Sequence, residues 1–545
     1  MTKAFALAAV LLASAANADT LYNNFNGIQA DAGGRIERFD GLLVGDDGKV
    51  KRVLHGEKLK LAGDTRVVDL GGRVLMPGLI DAHGHVMGLG YAVIQLDLTG
   101  TRSLDELKDR LRKYAAENPG TGWILGRGWN QELWTEKRFP TAADLDSVVS
   151  DRPVWLGRVD GHASVGNSAA MRAAGVTLQT KAPDGGEIID GLFVDNAESL
   201  VTRHIPPPDS ATQDKALAAA QSAMLRVGLV GAADMGTNKN DWDAMRRAGD
   251  SDKLRVRIFS YASGPDGWRG INGSKPTGWM YGDRLRLVGT KLYTDGALGS
   301  RGAYLKAPYH DRPDTRGLLF HSDAELLAQA TETAQGGGQL AIHAIGDGAN
   351  AQVIGTYEKI ASQFGRTGRW RIEHLQIADP KDLPRLKPAG IVASMQPTHQ
   401  TSDRLMAEAR LGPKRLAGAY AWNTIRKIGV PLAFGSDFPV ESPNPFPGLS
   451  AAISRQDPNG RPPGGWRPWE KVTLGQAIHG FTVGAAYAGF AEGRMGGLAP
   501  GKWADFIIVD RDPGSVDPQK LAKTVVLETW IAGKREFSAD AQPAN

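Results

Sequence analysis

The segment Val74-Leu75-Met76-Pro77-Gly78-Leu79-Ile80-Asp81-Ala82-His83-Gly84-His85 constrains this chain more than any other. It is an apolar run that ends in two histidines separated by one glycine. Side chains at i and i+2 of a strand point to the same side. A strand reaching this triplet therefore aims two imidazoles at one point, an arrangement that suits a metal ion. Lys291, His343, His374 and Asp437 close later apolar runs in the same way.

Eight such runs are spaced through the middle of the chain, at 75–83, 227–234, 255–261, 286–293, 338–343, 370–375, 390–396 and 431–437. Helical stretches lie between them, for example 322–336 and 474–488. Strand–helix alternation of this kind predicts an α/β fold, a (β/α)8 TIM barrel with its chemistry at the C-terminal strand ends. Residues 19–75 read instead as short strands and turns, and 496–540 repeat that texture. Both termini together are expected to form one small β domain beside a barrel spanning 76–495. The gap between the first two barrel strands is too long for one helix, which predicts an inserted subdomain at about 120–205. A Pro- and Gly-rich stretch at 438–470 follows the last strand, where a long loop is expected to serve as a lid.

Composition narrows the chemistry. The 545 residues carry a net charge of +4, with basic and acidic residues interspersed, so no nucleic-acid surface is expected. Without cysteine there are no thiolate ligands and no disulfides. Lys3, the apolar stretch 4–13 and Ala16-Asn17-Ala18 read as a signal peptide over 1–18. No later run is long enough to span a bilayer. The expectation is a secreted or periplasmic enzyme with no membrane partner once the signal is removed.

Lys291 needs its own argument. An ammonium group would be repelled by a divalent cation. A desolvated lysine loses its proton readily and can take up carbon dioxide, giving a carbamate whose two oxygens can bridge two metals. The other reading of Lys291 is a plain cation holding a substrate carboxylate.

Six motifs carry a resemblance: Pro77-Gly-Leu-Ile-Asp-Ala-His-Gly-His85, Lys291-Leu-Tyr-Thr-Asp-Gly-Ala-Leu-Gly-Ser-Arg301, His343-Ala-Ile-Gly-Asp347, Arg371-Ile-Glu-His374, Gly435-Ser-Asp-Phe-Pro439 and Gly497-Leu-Ala-Pro-Gly-Lys-Trp-Ala-Asp505. Together they resemble the amidohydrolase superfamily, specifically amidohydrolase family 3, which includes N-substituted formamide deformylases. The resemblance implies a β-sandwich-like domain, built from both termini, joined to a distorted (β/α)8 TIM barrel, in which His83, His85 and Asp437 hold a buried metal and His343 and His374 hold a more exposed one. It also implies N6-carboxylysine at Lys291 as the bridge. An all-N/O ligand set suits two Zn²⁺, although Mn²⁺, Fe²⁺ or Co²⁺ would fit. Such a pair activates a shared hydroxide toward a carbonyl, with Asp437 as general base and then general acid.

Other residues are expected near the substrate. Gly126-Arg-Gly-Trp-Asn-Gln131 and Arg158-Val-Asp-Gly-His162 resemble family motifs beside the site. They nominate Arg127, Trp129, Asn130 and Arg158 for binding, with His162 as an oxyanion donor. Gln396 and His399 follow the seventh strand and should face the same mouth. The implied substrate is a small amide-type molecule, and a homodimer is the assembly common in the family. A lactonase or phosphotriesterase could use the same metal pair. Deaminases of the superfamily lack the bridging lysine and carry Glu three residues after the strand-five histidine, where this chain has Gly346. An inactive metal-binding protein would be expected to have lost a ligand, and none is missing.

Overall fold

The computed structural model describes residues 18–541 except 159, 160, 162, 178, 184 and 185. The proposed signal peptide falls on residues 1–18 and so lies almost wholly outside them. Among the described residues no helix is long and apolar enough to cross a membrane.

Eight strands form the barrel: β1 (Leu79–Gly84), β2 (Leu229–Thr237), β3 (Arg257–Ser263), β4 (Leu285–Tyr293), β5 (Gln339–Ala344), β6 (Trp370–His374), β7 (Ile391–Met395) and β8 (Leu432–Phe434). They pair in chain order, each parallel to the next. Their near-continuous burial explains why they read as unbroken apolar runs. The seam between β1 and β8 is closed just beyond the strands. There Asp437 N–H donates to His83 O (2.7 Å) and His85 N–H to Phe438 O (2.8 Å). The Asp81 carboxylate reinforces the seam, accepting from Ser436 N–H (3.0 Å) and Ser436 Oγ (2.6 Å).

The run read as one strand over 75–83 is two strands. Val74–Pro77 belongs to a six-stranded sheet that also contains Asn26–Ala30, Ile36–Phe39, Phe506–Val509, Val526–Ile531 and Lys534–Ser538. Both ends of the chain thus share one sheet. A four-stranded sheet, Thr20–Asn23, Gly41–Val44, Val50–Leu54 and Arg66–Asp69, packs on it around Tyr22, Phe25, Leu42, Leu75 and Phe506. A buried ion pair ties this sandwich to the barrel: Arg257 on β3 donates to both oxygens of Asp505, at 2.6 and 2.8 Å.

The inserted subdomain has its own six-stranded sheet, running from Leu96–Asp97 to Leu192–Asp195, and its own core of Leu107, Leu111, Trp129, Trp134 and Leu156. It begins earlier than 120 because helix Leu104–Glu117 crosses over between Leu96–Asp97 and Ile124–Trp129 rather than packing as a barrel helix. The expected lid at 438–470 is not a free loop. It folds into helix Pro445–Ser454, which is largely buried; Arg455 docks it by donating to Tyr420 O and ties it to itself by donating to Trp466 O.

Candidate metal centre

The C-terminal ends of β1, β4, β5, β6 and β8 open on one cavity of about 680 Å³. His83, His85, Lys291, His343, His374 and Asp437 all line it. Two of them get there through unusual backbone. His374 (φ 75°) and Asp437 (φ 62°) occupy left-handed conformations. These cost a non-glycine residue about 1–3 kcal/mol and are retained where the surroundings enforce them. Between His83 and His85, Gly84 leaves room for the Phe438 ring, which a Cβ would meet at 2.5 Å. That contact seats the 435–438 turn, and with it Asp437, against β1.

The cluster is tight. Donor atoms of His83, His374 and Asp437 all lie within 4.8 Å of one another. His85 Nε2 is 3.1 Å from Asp437 Oδ1, and Lys291 Nζ is 3.3 Å from His83 Nε2. The His343 ring centroid stands 4.6 Å from that of His374. Outer partners fix which nitrogen faces inward. His83 Nδ1 meets Glu373 Oε2 at 2.6 Å, and His374 Nδ1 meets Gln396 Oε1 at 2.9 Å. Each leaves Nε2 toward the cavity, the usual role of such partners around metal-binding histidines. Glu373 is itself clamped by Arg371, at 2.7 and 3.1 Å. Arg371 also donates to Ala82 O at 2.6 Å and to Ser394 Oγ at 3.1 Å.

Electrostatics favour neutral, acceptor-ready imidazoles. Burial, reinforced by the Lys291 charge, pushes His83 down to about 4 and His343 down to about 3. Burial and the neighbouring His83 hold His374 well below its usual value. Burial also lowers Lys291 to about 8, toward the neutral amine. Burial alone would raise the Asp437 carboxyl, yet His83 and the hydrogen bond from His85 hold it below the usual carboxylate range. These residues fit divalent ions: the donors are nitrogen and oxygen, buried and convergent. Among the described residues, His343 Nε2 is a buried polar atom with no hydrogen bond.

Several predicted substrate contacts fall elsewhere. Trp129 is fully buried in the core of the insert, donating from Nε1 to Leu156 O at 2.7 Å. Asn130 caps the turn Gln131–Leu133, Arg158 Nε donates to Gln131 Oε1 (2.9 Å), and Arg127 is exposed on its strand. None of these four lines the cavity. Gln396 is buried behind His374 and does not line the cavity. His399 does line the cavity. His162 lies outside the described residues. The sequence reading missed Glu373, Tyr293, Asp403 and Glu441. Glu373 had a usable signal: Arg371 and Glu373 at i and i+2 put a charge pair on one face of a strand buried on both.

An eight-stranded barrel with this cluster at its C-terminal mouth defines a class, the metal-dependent hydrolases of the superfamily. The chain belongs to the amidohydrolase family, whose model matches residues 66–536. It is similar to the protein LONG AFTER FAR-RED 3 of Arabidopsis thaliana, with 34% identity over 514 residues covering 90% of this chain and 87% of that one. It is also similar to N-substituted formamide deformylase of Arthrobacter pascens, 26% identical over 92% of this chain and 93% of that one. Among solved structures, an uncharacterized metal-dependent hydrolase from Pyrococcus horikoshii OT3 superposes with a TM-score of 0.78. It is 27% identical, covering 92% of this chain and 99% of that one.

Proposed function

We propose that this enzyme hydrolyses the carbon–nitrogen bond of small non-peptide amides of the formamide type. The observation that carries this reading is the placement of Asp437, which touches the imidazole cluster on one side and the open cavity on the other. His83, His85 and Asp437 would hold one divalent ion, and His343 and His374 a second. Lys291, lowered to about 8 by burial, would bridge them as N6-carboxylysine. Zn²⁺ is the proposed metal. When bound, such ions lower the pKa of water and polarise a carbonyl.

The chain's own groups do the rest. Asp437, held ionised, takes the proton of the attacking water and returns it to the leaving nitrogen. Glu373 keeps His83 in the tautomer whose Nε2 faces inward. Gly346, where a deaminase would carry Glu, argues against ring deamination. The name of the Arthrobacter relative supports formamides as the first substrates to test.

The test is hydrolysis of N-benzylformamide by protein stripped with chelator and then reloaded with Zn²⁺. Amine and formate released in equal amounts, only by the reloaded protein, are expected. Hydrolysis of lactones or phosphotriesters with no amine release from any amide would overturn the reading.

A further inference from the structure

The walls of the cavity differ in charge. Among the described residues, Lys291 is the only lysine or arginine lining it, and it sits on the floor against His83. The outer wall carries two carboxylates, Asp403 and Glu441. Asp403 accepts a hydrogen bond from Tyr420 O–H at 2.7 Å, and Glu441 accepts one from Ser402 Oγ at 2.6 Å. Among the described residues, neither carboxylate pairs with a lysine or arginine. Arg404, the neighbour of Asp403 on helix Pro397–Leu411, reaches away to Asp457 at 3.3 Å. Burial raises the Asp403 carboxyl above its usual range.

A second, independent feature points to a ligand at the same place. His399 is 7% exposed and lines the cavity. Its Nδ1 faces the amide nitrogen of Gln376 at 3.0 Å. An amide NH₂ only donates, so Nδ1 is the acceptor and the ring proton sits on Nε2. That N–H has no hydrogen-bond partner among the described residues. The nearest carboxylate oxygen, Asp437 Oδ2, is 3.8 Å away, beyond hydrogen-bond range. A buried donor left unmade is costly, and a substrate carbonyl would satisfy it. Leu298 and Met406 line the same cavity and supply apolar surface.

Resting on the carbon–nitrogen hydrolase reading above, we propose that the cavity selects amides carrying a second, cationic group. His399 donates to the carbonyl end, Leu298 and Met406 cover an apolar spacer, and Asp403 with Glu441 receives an ammonium or guanidinium. The geometry makes His399 a substrate-binding residue and the two carboxylates specificity determinants.

Two measurements test this. The first compares kcat/KM for monoformylated α,ω-diaminoalkanes with N-formylalkylamines of equal chain length, in which methyl replaces ammonium. The expected preference for the cation is about tenfold, the scale of one well-placed charge pair. It should fall toward unity in Asp403→Asn and in Glu441→Gln. The second needs no turnover: calorimetric titration of the metal-loaded protein with a diamine and with the matching alkylamine. The diamine should bind about tenfold more tightly, and the two substitutions should remove the difference. Amide hydrolysis with no preference in either measurement would overturn the subsite and leave the proposed function standing. Diamine selectivity without hydrolysis of any amide would overturn the function and leave the subsite.

Discussion

Replacing Glu373 by Gln should separate two jobs that one carboxylate performs. Glu373 accepts from His83 Nδ1 at 2.6 Å and pairs with Arg371 at 2.7 Å, with all three side chains fully buried. Partners of this kind contribute about 10–100-fold to metal affinity, which is about 1.4–2.7 kcal/mol. The same substitution leaves the Arg371 guanidinium buried without its counter-charge, and breaking a buried pair costs about 3–5 kcal/mol. Arg371 keeps Ala82 O and Ser394 Oγ as acceptors, so the lower end, about 3 kcal/mol, is expected. Metal affinity would be read by competition with a chromophoric chelator, and stability by the urea midpoint of the metal-free protein. Adding Arg371→Met removes the orphaned cation. It should recover most of the stability but none of the metal affinity, because His83 still lacks its carboxylate. Wild-type metal affinity in Glu373→Gln would show that His83 binds metal without help from the carboxylate, and so would recovery of affinity in the double variant.

Other outcomes follow from the same geometry. Asp437→Asn should keep most of the bound metal and lose about 10²–10⁴-fold in kcat, and loss of all metal would recast Asp437 as chiefly a ligand. Gly289→Ala would bring a Cβ to 1.8 Å from Gln339 O, forcing β4 from β5 and shifting Lys291. Little soluble protein is expected, and a normally folded variant would show that the strands can part there. In the insert, the hydrogen bond from Arg138 holds Asp144 near 2, below its ordinary 3.8. Its contribution is therefore complete above pH 4 and lost as pH falls toward 2. Amide exchange should show Asp144→Asn weakening the helix Ala142–Asp146 by about 1 kcal/mol at pH 6, with a much smaller effect near pH 2.

The barrel was legible because its strands are largely buried on both faces and several end in or beside a residue that the core cannot accommodate without a role. Lys291, His343 and His374 stand out for that reason. Other features were hidden by the same uniformity. Val74–Pro77 and Leu79–Gly84 are equally apolar, so nothing in their hydrophobicity says that the chain leaves one sheet and enters another between them. Helix Leu104–Glu117 has the amphipathic pattern of a barrel helix, which masked the start of the insert. Trp129 illustrates a different limit. A tryptophan beside a polar motif can stack on substrate or fill a core, and only its contacts with Leu156 and Trp134 decide for the core. The outer wall was illegible because Asp403 and Glu441 reach the same cavity only through tertiary folding, from a helix face and a loop.

We propose that these side chains hold two ions bridged by a modified lysine. Metal analysis of the purified protein, combined with its intact mass under non-denaturing conditions, tests that most directly. Two divalent ions per chain are predicted, with a mass increment of one CO₂ that disappears in Lys291→Ala. A single ion and no increment would rule out the bridged pair and return Lys291 to the role of a plain cation that holds substrate.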